Sequence, residues 1–119
     1  MPHGRILIVD DEADFLASLA EVFQEEGYQV ETAANGRDAM IKMSGEQTPN
    51  VVILDMMMPV MSGGEVYAAM RSDPRLAKVP VIVSTSDPAR APEGCAVMPK
   101  PIKLTRMLEE VGKICAGCE

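Results

Sequence analysis

The chain has 119 residues, the size of one domain with a single hydrophobic core. Its net charge of −7 argues against direct binding to nucleic acid, and the absence of any apolar run of about 20 residues argues against a membrane span. The three cysteines are an odd number, which predicts reduced thiols rather than a disulfide framework. The sequence also lacks a secretory signal pattern. We therefore expect a cytoplasmic protein.

Apolar runs alternate with segments of helical periodicity along the chain. In chain order, the pattern predicts a strand over 5–9, a helix over 11–26, a strand over 28–33, a helix over 37–44, a strand over 51–55, a helix over 65–72, a strand over 79–84, a strand over 96–98 and a helix over 105–115. Such alternation is typical of parallel sheets with right-handed crossovers. We therefore expect one α/β domain over residues 1–119.

The stretch from Ser86 to Gly94 interrupts this alternation between the fourth and fifth strands. It reads SDPARAPEG and so contains two prolines and one glycine. Proline removes a helical hydrogen bond and clashes with the preceding turn, so at most about one helical turn fits there. The crossover helix before the fifth strand is therefore expected to be shortened or absent.

Charged side chains follow three of the predicted strands. Asp10 and Asp11 come directly after the first strand, and Asp55 ends the third. Lys100 follows the fifth strand. Because the carboxyl ends of parallel strands meet at one edge of a sheet, we expect these four side chains to lie close together. Crowded carboxylates suit Mg²⁺, which prefers oxygen ligands, and a lysine beside them suits an anion.

These residue types together predict phosphoryl chemistry. With Mg²⁺ shielding the charge, the carboxylate of Asp55 would attack phosphorus and form an aspartyl-phosphate. Lys100 and the hydroxyl of Thr85, at the end of the fourth strand, would bind phosphoryl oxygens. Each residue also has an ordinary structural alternative. An aspartate after a strand often caps the next helix, and a Lys-Pro step is often a simple turn.

Four motifs lie at the predicted strand ends, namely ILIVDDE at 6–12, LDMMMPVMSGG at 54–64, VPVIVST at 79–85 and PKP at 99–101. Together they resemble the receiver domain of bacterial two-component response regulators, over nearly the whole chain. The resemblance implies a flavodoxin-like three-layer sandwich with a five-stranded parallel sheet in the order 2-1-3-4-5.

The resemblance also implies roles for the site residues. Asp55 is the implied phosphoacceptor, contacted after phosphorylation by Thr85 and Lys100. The implied Mg²⁺ ligands are Asp10 through water, Asp11, Asp55 and the backbone carbonyl of Met57. The implied donor is a sensor histidine kinase or a histidine phosphotransfer protein, and the implied output is altered binding to a downstream protein. Such a domain catalyses only its own phosphorylation and dephosphorylation and is not otherwise an enzyme.

Three positions depart from the family pattern, and two other functions stay open. The stretch 86–94 is short for the usual fourth helix, Val97 replaces an aromatic switch residue, and Ser86 stands where alanine or glycine is usual. The first alternative is a pseudo-receiver, which binds partners without carrying phosphate. The second is a phosphatase of the haloacid dehalogenase type, whose pattern requires an aspartate where this chain has Met57.

Overall fold

Strands and helices alternate in the computed structural model as the sequence predicts. The structure describes residues 4–45, 48–56, 61–86, 89, 91, 96–100 and 103–116. The elements are β1 (Arg5–Val9), α1 (Ala13–Glu25), β2 (Gln29–Ala33), α2 (Gly36–Met43), β3 (Val51–Asp55), α3 (Gly63–Ser72), β4 (Val81–Thr85), β5 (Ala96–Pro99) and α4 (Leu104–Ala116). The predicted order is confirmed, and each end lies close to its predicted position. None of the helices in the described part of the chain is both long and apolar enough to span a bilayer.

Two helices begin away from their predicted first residues for local reasons. α1 begins later, because Oδ1 of Asp10 accepts a hydrogen bond from the backbone N–H of Glu12 at 2.9 Å and holds the acid pair in a turn. α3 begins earlier, because Ser62 and Glu65 form a capping box in front of it. Side-chain hydrogen bonds to the backbone therefore set both helix starts.

All five strands pair in parallel in the order β2-β1-β3-β4-β5. The predicted flavodoxin-like sheet is confirmed. The chain passes from β1 to β2 on one side and then returns to β3 on the other, so the strand order reverses between β1 and β3. Open α/β sheets bind ligands outside the carboxyl ends of the strands at such a switch point.

A layer of helices covers each face of the sheet. α2 and α3 lie on one face with Leu54 and Val83, and α1 and α4 lie on the other with Ile53 and Ile82. Because successive side chains of a strand point to opposite faces, these pairs also assign the neighbouring strand positions to a face. β3 is buried at all five positions because both of its faces are covered.

The β5 edge of the sheet is more open than the centre. β5 has four residues, of which only Met98 is buried, and Val97 is 36% exposed. Residues 86–95 connect β4 to β5, and the structure describes three of them, 86, 89 and 91. No α-helix lies between the two strands among the described residues, and Ala89 lies in a 3-10 turn, which fits the predicted limit of about one helical turn.

Candidate functional site

Three carboxylates converge at the carboxyl ends of β1 and β3. One oxygen from each of Asp10, Asp11 and Asp55 lies within 4.8 Å of the other two. The register of the two strands, which pairs Val9 with Leu54, brings the residues that follow them side by side. Asp10 and Asp55 are buried, whereas Asp11 is exposed. The side chain of Asp55 keeps 6% exposure and is therefore recessed beside an exposed carboxylate.

Asp10 has a structural role as well as a place in the site. Its backbone N–H donates to the carbonyl of Ala33 at 3.1 Å, which continues the β1–β2 pairing beyond the strand end. Its Oδ1 accepts from the N–H of Glu12, while Oδ2 faces Lys100 at 2.9 Å. The capping alternative is thus partly correct for this residue, since one carboxylate oxygen orders the turn and the other faces the site.

Lys100 connects the strand ends. Its ammonium nitrogen lies 2.9 Å from Oδ2 of Asp10, 3.5 Å from Oε1 of Glu12 and 3.6 Å from Oδ1 of Asp55. Its backbone N–H donates to the carbonyl of Thr85 at 2.8 Å, which ties the residue after β5 to the end of β4. The side chain is 20% exposed, so the ammonium group is available from outside while it faces the acids.

The surroundings of Lys100 keep it charged. Burial is the largest single influence and lowers its pKa, but the hydrogen bond with Asp10 and the attraction of Asp10, Asp55 and Glu12 together raise the pKa above its ordinary value of 10.5. The ammonium nitrogen also lies 5.2 Å from the centroid of the Phe15 ring, within the range of a cation–π contact. A permanent cation therefore stands beside Asp55, where it suits an anionic group.

Helix α3 begins directly behind the acceptor strand. The N–H of Gly63 donates to the carbonyl of Met56 at 3.2 Å. A Cβ atom at position 63 would lie 2.2 Å from the carbonyl oxygen of Asp55 and 2.8 Å from Cα of Met56. Real Cβ atoms do not approach backbone this closely, so glycine is required for α3 to pack against the end of β3. The start of the helix thereby fixes the backbone that carries Asp55.

The structure brings four predicted site residues together, namely Asp10, Asp11, Asp55 and Lys100. Thr85 ends β4 at the same edge of the sheet and is buried. Ser86 is exposed. Met57 lies outside the described residues, so its carbonyl ligand stays a prediction, as do the roles assigned to the other residues.

Three residues near the site were missed by the reasoning from sequence. Glu12 was visible in the Asp-Asp-Glu run but was not given a role, although it forms an ion pair with Lys100. Phe15 fitted the apolar face of α1, and its contact with the ammonium group depends on the distance between α1 and β5. Ser84 looked like part of an ordinary buried strand, and no signal in the sequence marks it as a polar group beside Asp55.

The donor set fits the Mg²⁺ that the sequence predicts. Three carboxylates face one lysine, so the cluster has an excess of negative charge that a divalent cation would neutralise. Oxygen ligands on opposite sides of one Mg²⁺ lie about 4 Å apart, close to the spread of these three oxygens. The exposure of Asp11 leaves room for the water ligands that Mg²⁺ retains.

Residues 6–111 match the Response regulator receiver domain family, and the chain belongs to that family. A response regulator receiver protein of Anaeromyxobacter sp. (strain Fw109-5) is 36% identical over an alignment of 110 residues, which covers 88% of this chain and 46% of that protein. The chain thus spans less than half the length of this relative. The family match favours the receiver interpretation over the phosphatase.

Two solved structures extend the comparison to the fold. The signal receiver domain of a signal transduction histidine kinase from Syntrophus aciditrophicus superposes with a TM-score of 0.89 at 33% identity, covering 98% of this chain and 92% of that one. The response regulator protein TrrA from Thermotoga maritima, in complex with Mg²⁺-BeF, has a TM-score of 0.81 at 32% identity, covering 96% and 99%. Binding of Mg²⁺ is thus seen at the level of the family.

Proposed function

We propose that this receiver domain accepts a phosphoryl group on Asp55 in a two-component or phosphorelay pathway. The donor is the phosphohistidine of a sensor histidine kinase or of a histidine phosphotransfer protein. Phosphorylation shifts an equilibrium between two conformations and so alters binding to a downstream protein. We propose further that residues 1–119 act as one domain in the cytoplasm and catalyse only their own phosphorylation and dephosphorylation.

The convergence of three carboxylates with one lysine carries this proposal. Asp55 is recessed at a strand end, its Oδ1 lies 3.6 Å from the ammonium nitrogen of Lys100, and Asp10 and Asp11 lie beside it. A lone aspartate at a strand end would fit a helix cap equally well. Three acids and a permanent cation at one switch point fit the binding of a divalent cation next to an anion.

The transfer step uses groups that this chain provides. An oxygen of Asp55 forms a bond to phosphorus while the phosphorus–nitrogen bond of the donor histidine breaks, and the leaving imidazole takes a proton. Lys100 and the hydroxyl of Thr85 bind phosphoryl oxygens and stabilise the charge that develops on them. Mg²⁺, held by Asp10, Asp11, Asp55 and the carbonyl of Met57, would supply charge neutralisation. Attack of water on phosphorus later returns the carboxylate and inorganic phosphate.

Intact-mass analysis after incubation with acetyl phosphate and Mg²⁺ tests the proposal. The wild-type chain should gain the mass of one phosphoryl group, and Asp55→Asn should gain none, because an amide is not a nucleophile here. Asp14→Asn is the matched control, since Asp14 is an exposed acid in the first turn of α1 outside the cluster. It should gain the phosphoryl group as the wild type does.

The same experiment distinguishes a phosphorylated receiver from a pseudo-receiver. The intact site residues argue against a pseudo-receiver, but the short β4–β5 connection keeps this alternative open. A pseudo-receiver would bind its partner and gain no phosphoryl group under any condition. Equal phosphoryl gain by the wild type and by Asp55→Asn would contradict the assignment of the acceptor residue. Omission of Mg²⁺ should slow the gain, because the three acids then repel an incoming phosphoryl donor.

A further inference from the structure

Ser84 carries a buried hydroxyl next to the acidic site. The residue is 1% exposed, and its Oγ has no hydrogen-bond partner among the residues that the structure describes. Buried hydroxyl groups in folded proteins nearly always have a partner, because water no longer reaches them. The hydroxyl of Ser84 therefore needs a partner that the described residues do not provide in this conformation.

The strand register places Ser84 beside the acceptor. Ser84 on β4 pairs with Asp55 on β3. Two residues earlier, Ile82 and Ile53 pair in the same way, and both lie on the face covered by α1 and α4. Side chains two residues apart on a strand share a face, so Ser84 and Asp55 also project to this face. Their strands lie about 4.8 Å apart, which puts the two side chains next to each other.

The other neighbours of Ser84 do not explain a polar side chain at this position. Ile82 and Met98, on the same face of β4 and β5, belong to the apolar core. Thr85 follows on the opposite face, so the two hydroxyl groups approach the strand end from different sides. Valine or alanine would fill the position without leaving a polar group unpaired. The hydroxyl of Ser84 therefore suits the polar site rather than the packing.

We propose that the hydroxyl of Ser84 donates a hydrogen bond to the Asp55 side chain during phosphoryl transfer and orients it toward phosphorus. This inference rests on the proposed function of Asp55. In the structure, the ammonium nitrogen of Lys100 lies 3.6 Å from Oδ1 of Asp55. When Lys100 turns to a phosphoryl oxygen, that cationic neighbour is lost, and the hydroxyl of Ser84 replaces it by rotation about one side-chain bond. Ser84 is thus a positioning residue.

The sharpest test compares Ser84→Thr with Ser84→Val, because the two side chains have the same shape and differ in one hydroxyl group. The rate of phosphoryl gain is measured by intact mass with acetyl phosphate and Mg²⁺. Ser84→Thr should keep the wild-type rate within about threefold, and Ser84→Val should lose about tenfold, the scale of one hydrogen bond to a charged group. Val97→Thr makes the same exchange on exposed β5 and should leave the rate unchanged.

Urea unfolding without Mg²⁺ gives a second readout that does not depend on phosphorylation. Ser84→Val should unfold at a urea concentration at least as high as Ser84→Thr does, because it removes a polar group that is unpaired in this state. A slower rate together with unchanged or higher stability is the signature of a positioning role. A residue with a purely structural role would lower stability when its hydroxyl is lost.

The outcomes distinguish this inference from the function on which it rests. If the wild-type chain gains no phosphoryl group, both the proposed function and the role of Ser84 are wrong. If the wild type is phosphorylated but Ser84→Thr and Ser84→Val react at equal rates, only the role of Ser84 is wrong. A lower urea midpoint for Ser84→Val than for Ser84→Thr also overturns it, since the hydroxyl would then already have a partner before phosphoryl transfer.

Discussion

The centre of the sheet is much more deeply buried than its β5 edge. β1 and β3 are buried at nearly every position, and the acids that follow them are held by strand register and by a turn. β5 has one buried residue, and the described residues between β4 and β5 form no α-helix. The acids depend on the centre, so the edge can depart from the family pattern without moving a carboxylate. The carboxylate cluster and the open edge thus depend on separate parts of the fold.

Lys100 links the charged groups of the two regions. It follows the open strand β5, yet its ammonium group lies among the acids of β1 and β3. The hydrogen bond from its N–H to the carbonyl of Thr85 fixes its backbone to the end of β4. A change of conformation at the edge would therefore reach the site through the position of this side chain.

The largest expected effect comes from adding one methyl group behind Asp55. Gly63→Ala should lower the free energy of unfolding by about 3 kcal/mol or more, because its Cβ would lie 2.2 Å from a backbone oxygen that cannot move aside. Urea titration followed by circular dichroism measures the loss. If the variant is already unfolded without urea, its helical signal is lost in buffer alone. That outcome would mean a still larger loss of stability.

Gly112→Ala is the matched control for this substitution at an uncrowded position of a helix. A Cβ at position 112 of α4 meets nothing within 4 Å. Because alanine is the better helix former, Gly112→Ala should raise the free energy of unfolding by about 0.5–1 kcal/mol. Equal effects of the two substitutions would contradict the view that the centre is tightly built around Asp55.

The next effect concerns the link between the regions. Lys100→Met should cost about 2–3 kcal/mol at pH 7 without Mg²⁺, because it leaves the buried carboxylate of Asp10 without its cation. The raised pKa of Lys100 means that its ion pairs are at full strength below pH 10.5 and weaken only as pH rises through the higher folded-state value. Added Mg²⁺ should restore part of the loss by binding the same acids.

Lys113→Met provides the comparison for the loss of a lysine. The side chain of Lys113 is 73% exposed and forms an ion pair with Glu110 at 3.8 Å. Exposed pairs of this kind contribute little, so the variant should stay within about 0.5 kcal/mol of the wild type. A Mg²⁺-independent loss for Lys100→Met would show that the lysine acts through packing rather than through charge.

The site acids were predictable because they are tied to a periodic pattern. Each follows a continuous apolar run, and parallel strands bring their carboxyl ends to one edge whatever the details of packing. The same logic predicted Lys100, although its contact with Asp10 crosses the whole width of β3 and β4. Composition alone would not have predicted this edge, since other acids of the chain, such as Asp38 in its ion pair with Lys42, lie outside the cluster.

The remaining details depend on distances that no periodic pattern encodes. The need for glycine at 63 follows from how closely α3 approaches β3. The contact of Phe15 with Lys100 follows from the separation of α1 and β5. The hydroxyl of Ser84 is unpaired because the surrounding residues bury it. The same residue in a solvent-exposed strand would have water as its hydrogen-bond partner.

The smallest effect compares two valines that face each other across β4 and β5. Val83 and Val97 are register partners, but Val83 is fully buried and Val97 is 36% exposed. Val83→Ala should cost about 2 kcal/mol in free energy of unfolding and Val97→Ala about 0.5 kcal/mol, because only the first removes methyl groups from a closed core. Urea midpoints with equal slopes measure the difference. Similar costs for both would mean that the β5 edge is packed as firmly as the centre, which would contradict the contrast between the two regions.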